Sequence, residues 1–250
     1  MVKCPSTVAT DPRDTAEGTH MPTNDTQLHL HEEILLLALN DEKGTIHSRA
    51  GMWQYAMAAG ILEELLLAER IAITRERKKN FVDVISERPV GDPILDESLT
   101  LIANAKRRAR LQTWITRLTR LRDLRHRVAA ELCRRRILRE DEGRILFIFT
   151  RRLYPERDPR HERRIIERLR KAIFTNTRKI DPRTAILVSL ANSINLLKIP
   201  FDKRELRQRK TRIAEISEGD VVGEATRAVI AAAQAAVVAA TIAATTAATS

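Results

Sequence analysis

Arginine is the residue best placed to do chemistry in this chain, and one stretch concentrates it. Between Lys106 and Arg139 there are thirteen Lys or Arg against two acids, Asp123 and Glu131. That local excess of eleven equals the net charge of +11 carried by all 250 residues. A guanidinium stays charged in proteins and presents a rigid fork of donors that grips phosphate or carboxylate two bonds at a time. At about 100° per residue, Leu121, Leu124, Val128 and Leu132 share one face of a helix expected over 121–136. Arg122, Arg125 and Arg136 run along one shoulder of that stripe, where stems can rest on apolar surface and forks converge on one anion. Taken alone, the pattern is more usual for a solvated helix face, a description that suits Arg127, Arg134 and Arg135. The charge calls for a polyanionic partner without choosing between nucleic acid and an acidic membrane.

Other chemistries find little support. His29, His31, Glu32 and Glu33 resemble part of a zinc helix, but the second histidine of H-E-x-x-H would fall on Leu35. Cys4 and Cys133 supply neither a disulfide framework nor metal-ligand spacing. Glu63/Glu64 and Asp141/Glu142 are adjacent in sequence, so each pair diverges on a helix or sits in a turn and reads as solvated surface. No Gly-rich phosphate loop and no G-x-S-x-G elbow is present. The expectation is a non-enzymatic protein with no cofactor and no metal.

The elements that must position the arginines are mostly helices. Residues 1–26 are polar and aperiodic, and read as a disordered tail. A buried helix apolar all round follows at Ile34–Leu39, then a long one from about 50 to 69 with Trp53, Met57, Ile61 and Leu65 at helical spacing. Ile71/Ile73 and Val82/Val84 flank a polar turn at Lys78–Asn80 and predict a hairpin. Pro93 opens the next helix. Helical stretches at 111–119 and 121–136 carry the basic cluster, and others are expected at 159–175, 182–197, 202–217 and 220–242. Ala228–Ser250 lacks charge but is too rich in Ala and Thr for a membrane span, so it reads as a packed helix ending in an Ala/Thr tail over 243–250. The fold class is mainly α: one compact multi-helix domain over 27–242, built around a central bundle, with one or two small β-hairpins. The start of the chain lacks the apolar run of a signal peptide, so a cytosolic location is expected.

Four runs, LHLHEEILLLALNDEKGTI, WQYAMAAGILEELLLAERI, GDPILDESL and LRDLRHRVAAEL, occur in this order, and together they resemble the Golgi phosphoprotein 3 family over about residues 28 to 240. The resemblance implies a compact helical domain that binds phosphatidylinositol 4-phosphate. In eukaryotes it also implies a Golgi role, holding glycosyltransferases by their cytosolic tails. The family's head-group pocket uses a tryptophan early in the second helix, an arginine nine residues later and an R-x-x-R pair. Trp53 matches the first, Arg122 and Arg125 match the pair, and the remaining position falls on Leu62. Trp53 has an ordinary alternative as a packing residue, and sequence alone favours it. Restoring the missing ligand with Leu62→Arg is expected to sharpen head-group choice. The family includes bacterial members, which have no Golgi, so a cytoplasmic or inner-membrane location would apply there.

The leading expectation is therefore a peripheral adaptor on the cytoplasmic face of a membrane. Its partners would be an anionic lipid such as a phosphoinositide, held by Trp53, Arg122, Arg125 and Arg136, together with the cytosolic tails of membrane enzymes. RILFIFTRRLYP, residues 144–155, is expected to form a hairpin, and both faces of its strand at Ile145–Phe149 are apolar. Arg151, Arg152, Leu153 and Tyr154 are accordingly expected to meet the membrane or a second copy of the chain in a homo-oligomer, against a roughly even alternative of a strand enclosed in the domain. A different class of reading, a basic nucleic-acid-binding protein using the same helix, explains the charge. It lacks recognisable docking apparatus, and at 4% aromatics it has little to stack on single strands.

Overall fold

The computed structural model describes residues 27–219 apart from 78, 146–148 and 178. The expected N-terminal tail, the helix at 220–242 and the Ala/Thr tail lie outside the described residues. Two central helices organise the rest. Helix α1 (Leu30–Ala38) is buried along its whole length, and Glu32 caps its start by accepting the His29 amide at 2.8 Å. Helix α2 (Trp53–Leu67) packs closely against it at Gly60, where a Cβ would stand 3.1 Å from the His31 amide nitrogen. A side chain there would push the two helices apart.

The remaining helices surround this pair. They are α3 (Pro93–Ala103), α4 (Leu111–Leu118), α5 (Leu124–Arg134), α6 (Arg160–Phe174), α7 (Pro182–Ser193), α8 (Lys203–Gln208) and α9 (Lys210–Ser217). Helices α5, α6 and α7 pack on α1, while α3, α4 and α7 pack on α2. Local sequence sets several starts: Asp92 and Asp181 accept first-turn amides of α3 and α7, each followed by a proline at the first helical position. The helix expected over 202–217 breaks at Arg209 into α8 and α9. That expected over 182–197 stops at Ser193, ahead of a 3-10 turn at Leu196–Lys198.

Two antiparallel hairpins complete the described fold. In the first, β1 (Ile71–Glu76) pairs with β2 (Lys79–Val84), and Glu76 faces Lys79. The chain thus reverses between Glu76 and Lys79, with Arg77 at φ +44°, and Asn80 lies in the ladder opposite Arg75 rather than in the turn. In the second, β3 (Asp141–Ile145) pairs with β4 (Phe149–Leu153), and Ile145 faces Phe149. The run Ile145–Phe149, expected as one strand, instead has its two ends paired with each other, and 146–148 between them lie outside the described residues.

Candidate anion-binding cleft

The helix expected to carry the basic shoulder begins later and ends sooner than its apolar stripe suggested. Arg122 lies in the turn before α5, its side chain 95% exposed, and Arg125 stands in the first turn. Arg136 falls beyond the helix end, in the left-handed region at φ +60°. Fourteen residues of helix rise about 21 Å, so two arginines on one angular shoulder can still stand a whole helix apart. Angular projection hides that separation. Arg122 and Arg125 come together; Arg136 does not join them.

What gathers around those two is an open cleft of about 1060 Å³. One wall is the start of α5, with Arg122, Asp123, Arg125, His126 and Arg127. Arg151 and Arg152 of β4 form another wall, and Glu97 of α3 closes a side. Five arginines therefore face two acids. Asp123 pairs with Arg122 at 3.6 Å and Glu97 with Arg127 at 2.5 Å. Arg125 reaches across the cleft, 3.4 Å from the Arg152 carbonyl oxygen, and its guanidinium stands 5.8 Å from the centre of the Tyr154 ring. Its Nε is buried and finds no hydrogen-bond partner among the described residues. Burial first, then the Arg151 charge, lowers the Arg125 pKa from its ordinary value.

The start of α5 adds to the field. Asp123 occupies the cap position with a left-handed backbone, φ +52°, and its side chain makes no cap bond. A helix start leaves amides exposed and carries partial positive charge. Most helices meet that charge with acids, whereas this one surrounds it with arginines. Such a combination suits an anion held from outside the chain.

Several expected site residues fall elsewhere. Trp53 is partly buried against the core and does not line this cleft. Leu62 is 1% exposed inside the core, so an arginine there would meet apolar packing rather than a head group. The expectation that Leu62→Arg sharpens selectivity gives way to one of lost stability. Tyr154 is 1% exposed, its hydroxyl 2.9 Å from His126 Nδ1 and its amide bonded to the Gly44 carbonyl at 3.0 Å. It supports the cleft from beneath and is not at a membrane surface. Leu153 is half-buried, close to where a Cβ on Gly143 would stand, while Arg151 and Arg152 are exposed.

Sequence reasoning also missed a set of buried clasps. Arg135, expected on a solvated face, is paired with buried Glu32 at 3.1 Å. Glu33 holds Arg168 at 2.8 Å, and Glu64 holds Arg183 at 2.6 Å while also accepting the Leu30 amide. The Glu63/Glu64 pair, expected on the surface, is buried. Burial alone would raise the Glu64 carboxyl, but His29 and the Arg183 guanidinium outweigh it and hold it at about 2. His126 was missed as well, although its place between Arg125 and Arg127 in the basic helix was a signal that could have found it.

Fold and cleft define a mainly α protein with a basic cleft at a helix start. The family model for Golgi phosphoprotein 3 (GPP34) matches residues 30–233, and the chain belongs to that family. It is similar to Vacuolar protein sorting-associated protein 74 of Schizosaccharomyces pombe, 23% identical over 242 residues, covering 84% of this chain and 71% of the relative. Among the described residues no helix is long and apolar enough to cross a membrane.

Proposed function

We propose that this chain is a non-enzymatic peripheral membrane adaptor that docks by gripping anionic lipid head groups, of the phosphatidylinositol 4-phosphate kind, at the start of α5. The observation that carries the reading is the meeting of Arg122 and Arg125 at a helix start with no side-chain cap, with a buried Arg125 Nε that lacks a hydrogen-bond partner among the described residues. Membership of the Golgi phosphoprotein 3 family supports a membrane-associated role, as does a relative named for protein sorting. Retention of membrane enzymes by their cytosolic tails rests on that family membership alone. Each basic residue near an anionic surface contributes about 1 kcal/mol, so a few of them give reversible docking.

The test is co-sedimentation of the full chain with vesicles that are neutral or contain a phosphoinositide. Arg122→Ala with Arg125→Ala is expected to abolish the preference for the charged vesicles without changing the melting temperature by more than a few degrees, since neither side chain belongs to the apolar core. Equal recovery of the wild type on both vesicles would overturn the reading. Tighter binding to duplex DNA than to charged vesicles, falling steeply with salt, would replace it with nucleic-acid binding.

A further inference from the structure

We propose that Arg151 and Arg152 of β4 are ligands of the same anion, so that the site lies between helix and hairpin and takes a ligand carrying two phosphate groups. This rests on the cleft being the head-group site, and adds to it who the ligands are and what they select.

The two arginine pairs face one space from different parts of the chain, Arg122 and Arg125 from the helix start and Arg151 and Arg152 from the strand. Arg151 is exposed and makes no ion pair among the described residues, although it stands near enough to lower the Arg125 pKa. Arg152 has a loose, exposed pairing with Glu140 at 3.5 Å and a side-chain hydrogen bond with Tyr154. Like charges brought this close repel one another unless something holds them, and the backbone beneath them does. Tyr154 is bonded to Gly44, Arg139 donates its amide to the Pro155 carbonyl at 3.0 Å, and Glu156 donates to Asp41 at 2.9 Å. The hairpin's exit is thus anchored at three points to the loop after α1 and the segment before β3. Guanidiniums carried on so fixed a base are preorganised for an anion rather than merely solvated.

One phosphate group engages one or two forks, and a cleft of about 1060 Å³ is far larger than such a group. Two phosphates borne on a ring would place one against each arginine pair and relieve the repulsion between them. A ligand with a single phosphate satisfies one wall and leaves the other unpaired.

The experiment is calorimetric titration of the full chain with a soluble inositol bisphosphate and with inorganic phosphate, alongside vesicle sedimentation. The wild type is expected to bind the bisphosphate at least roughly tenfold tighter than inorganic phosphate. Arg151→Gln with Arg152→Gln should remove most of that advantage, as should Arg122→Gln with Arg125→Gln. Should the hairpin double variant melt early, Arg151→Gln alone serves, because its exposed side chain makes no hydrogen bond or ion pair among the described residues, and a loss of at least threefold is expected. Unchanged bisphosphate affinity in the folded hairpin variants, with affinity lost in the helix pair, would overturn this proposal and leave the head-group reading standing. Weaker vesicle binding with unchanged soluble binding would also overturn it, since the two arginines would then act by general attraction to a bilayer. Loss in neither pair would remove the head-group reading itself.

Discussion

At the scale of single residues, the carboxylates mattered as much as the arginines and were harder to read. Glu63 and Glu64 are neighbours, yet Glu64 is clasped by Arg183 while Glu63 has a buried oxygen with no hydrogen-bond partner among the described residues. Burial, then the adjacent Glu64 charge, raises the Glu63 pKa well above its ordinary 4.5, so the folded chain holds this proton to higher pH than the unfolded chain does. The unfolded chain loses that proton as pH rises past about 4.5 while the folded chain keeps it, so this group makes stability fall with rising pH. Glu63→Gln removes the titration. The variant's stability relative to wild type should therefore climb as pH rises above about 4.5 in denaturant titrations, and a flat difference would show that the carboxyl ionises in place. One sequence signal was available: the residues around the pair, AMAAGIL and LLL, are apolar on every side of the helix. The partner of Glu64 lies 119 residues away, and no local pattern announces it.

At the scale of elements, periodicity found the helices and misjudged their ends. The stripe from Leu121 to Leu132 continues through the turn before α5, because apolar residues pack inward whether or not the backbone is helical. A wheel drawn over the whole run therefore joined Arg136 to Arg122. The second hairpin was expected in the right part of the chain but with its strands misplaced, since an unbroken apolar run cannot show where a chain reverses. What fixes its base is the loop after α1. Gly44 has φ +60°, and a Cβ there would overlap the backbone of Tyr154 and Pro155. Gly44→Ala must shift the end of β4 and also adopts a left-handed conformation that costs an alanine about 1–2 kcal/mol. We expect a melting temperature lower by several degrees, together with weaker phosphoinositide binding as Arg151 and Arg152 move with the strand. A melting temperature and affinity unchanged from wild type would show that the two segments are not rigidly joined.

At the scale of the whole molecule, the mainly α class and its central pair were legible because α1 is apolar all round and must be enclosed. The confinement of charge to one segment, read from the same sequence, does not hold. Residues 160–212 hold sixteen Lys or Arg against five acids, an excess as large as that of 106–139, and the balancing acids are spread elsewhere. Some of these cations serve the fold, as where Arg209 and Arg212 donate to the Phe174 and Thr177 carbonyls past the end of α6. The buried centre also sets an acid limit. His31 is enclosed without a hydrogen-bond partner among the described residues, and burial pushes its pKa down to about 4 from 6.5. Between those values the unfolded chain takes up a proton that the folded one refuses, so stability falls as pH drops from about 6.5 toward 4. His126 and His161, also lowered mainly by burial, act in the same direction. Glu64 adds a second loss as pH falls from 4.5 toward about 2. His31→Phe is expected to reduce the slope of denaturation midpoint against pH in the upper window and leave the lower one in place; an unaltered slope would show that His31 is protonated in the fold.

The clasps that join the front of the chain to its later helices impose an order on folding. Glu32, Glu33 and Glu64 emerge early in synthesis, and their arginines follow 103, 135 and 119 residues later. Until Arg183 has left the ribosome, closing the core would strand a carboxylate in an apolar interior, at a cost of about 3–5 kcal/mol for each missing partner. The first two helices must therefore wait, loosely formed, for the back half of the chain to arrive. Nascent chains stopped short of Arg135 should be the ones that chaperones hold longest.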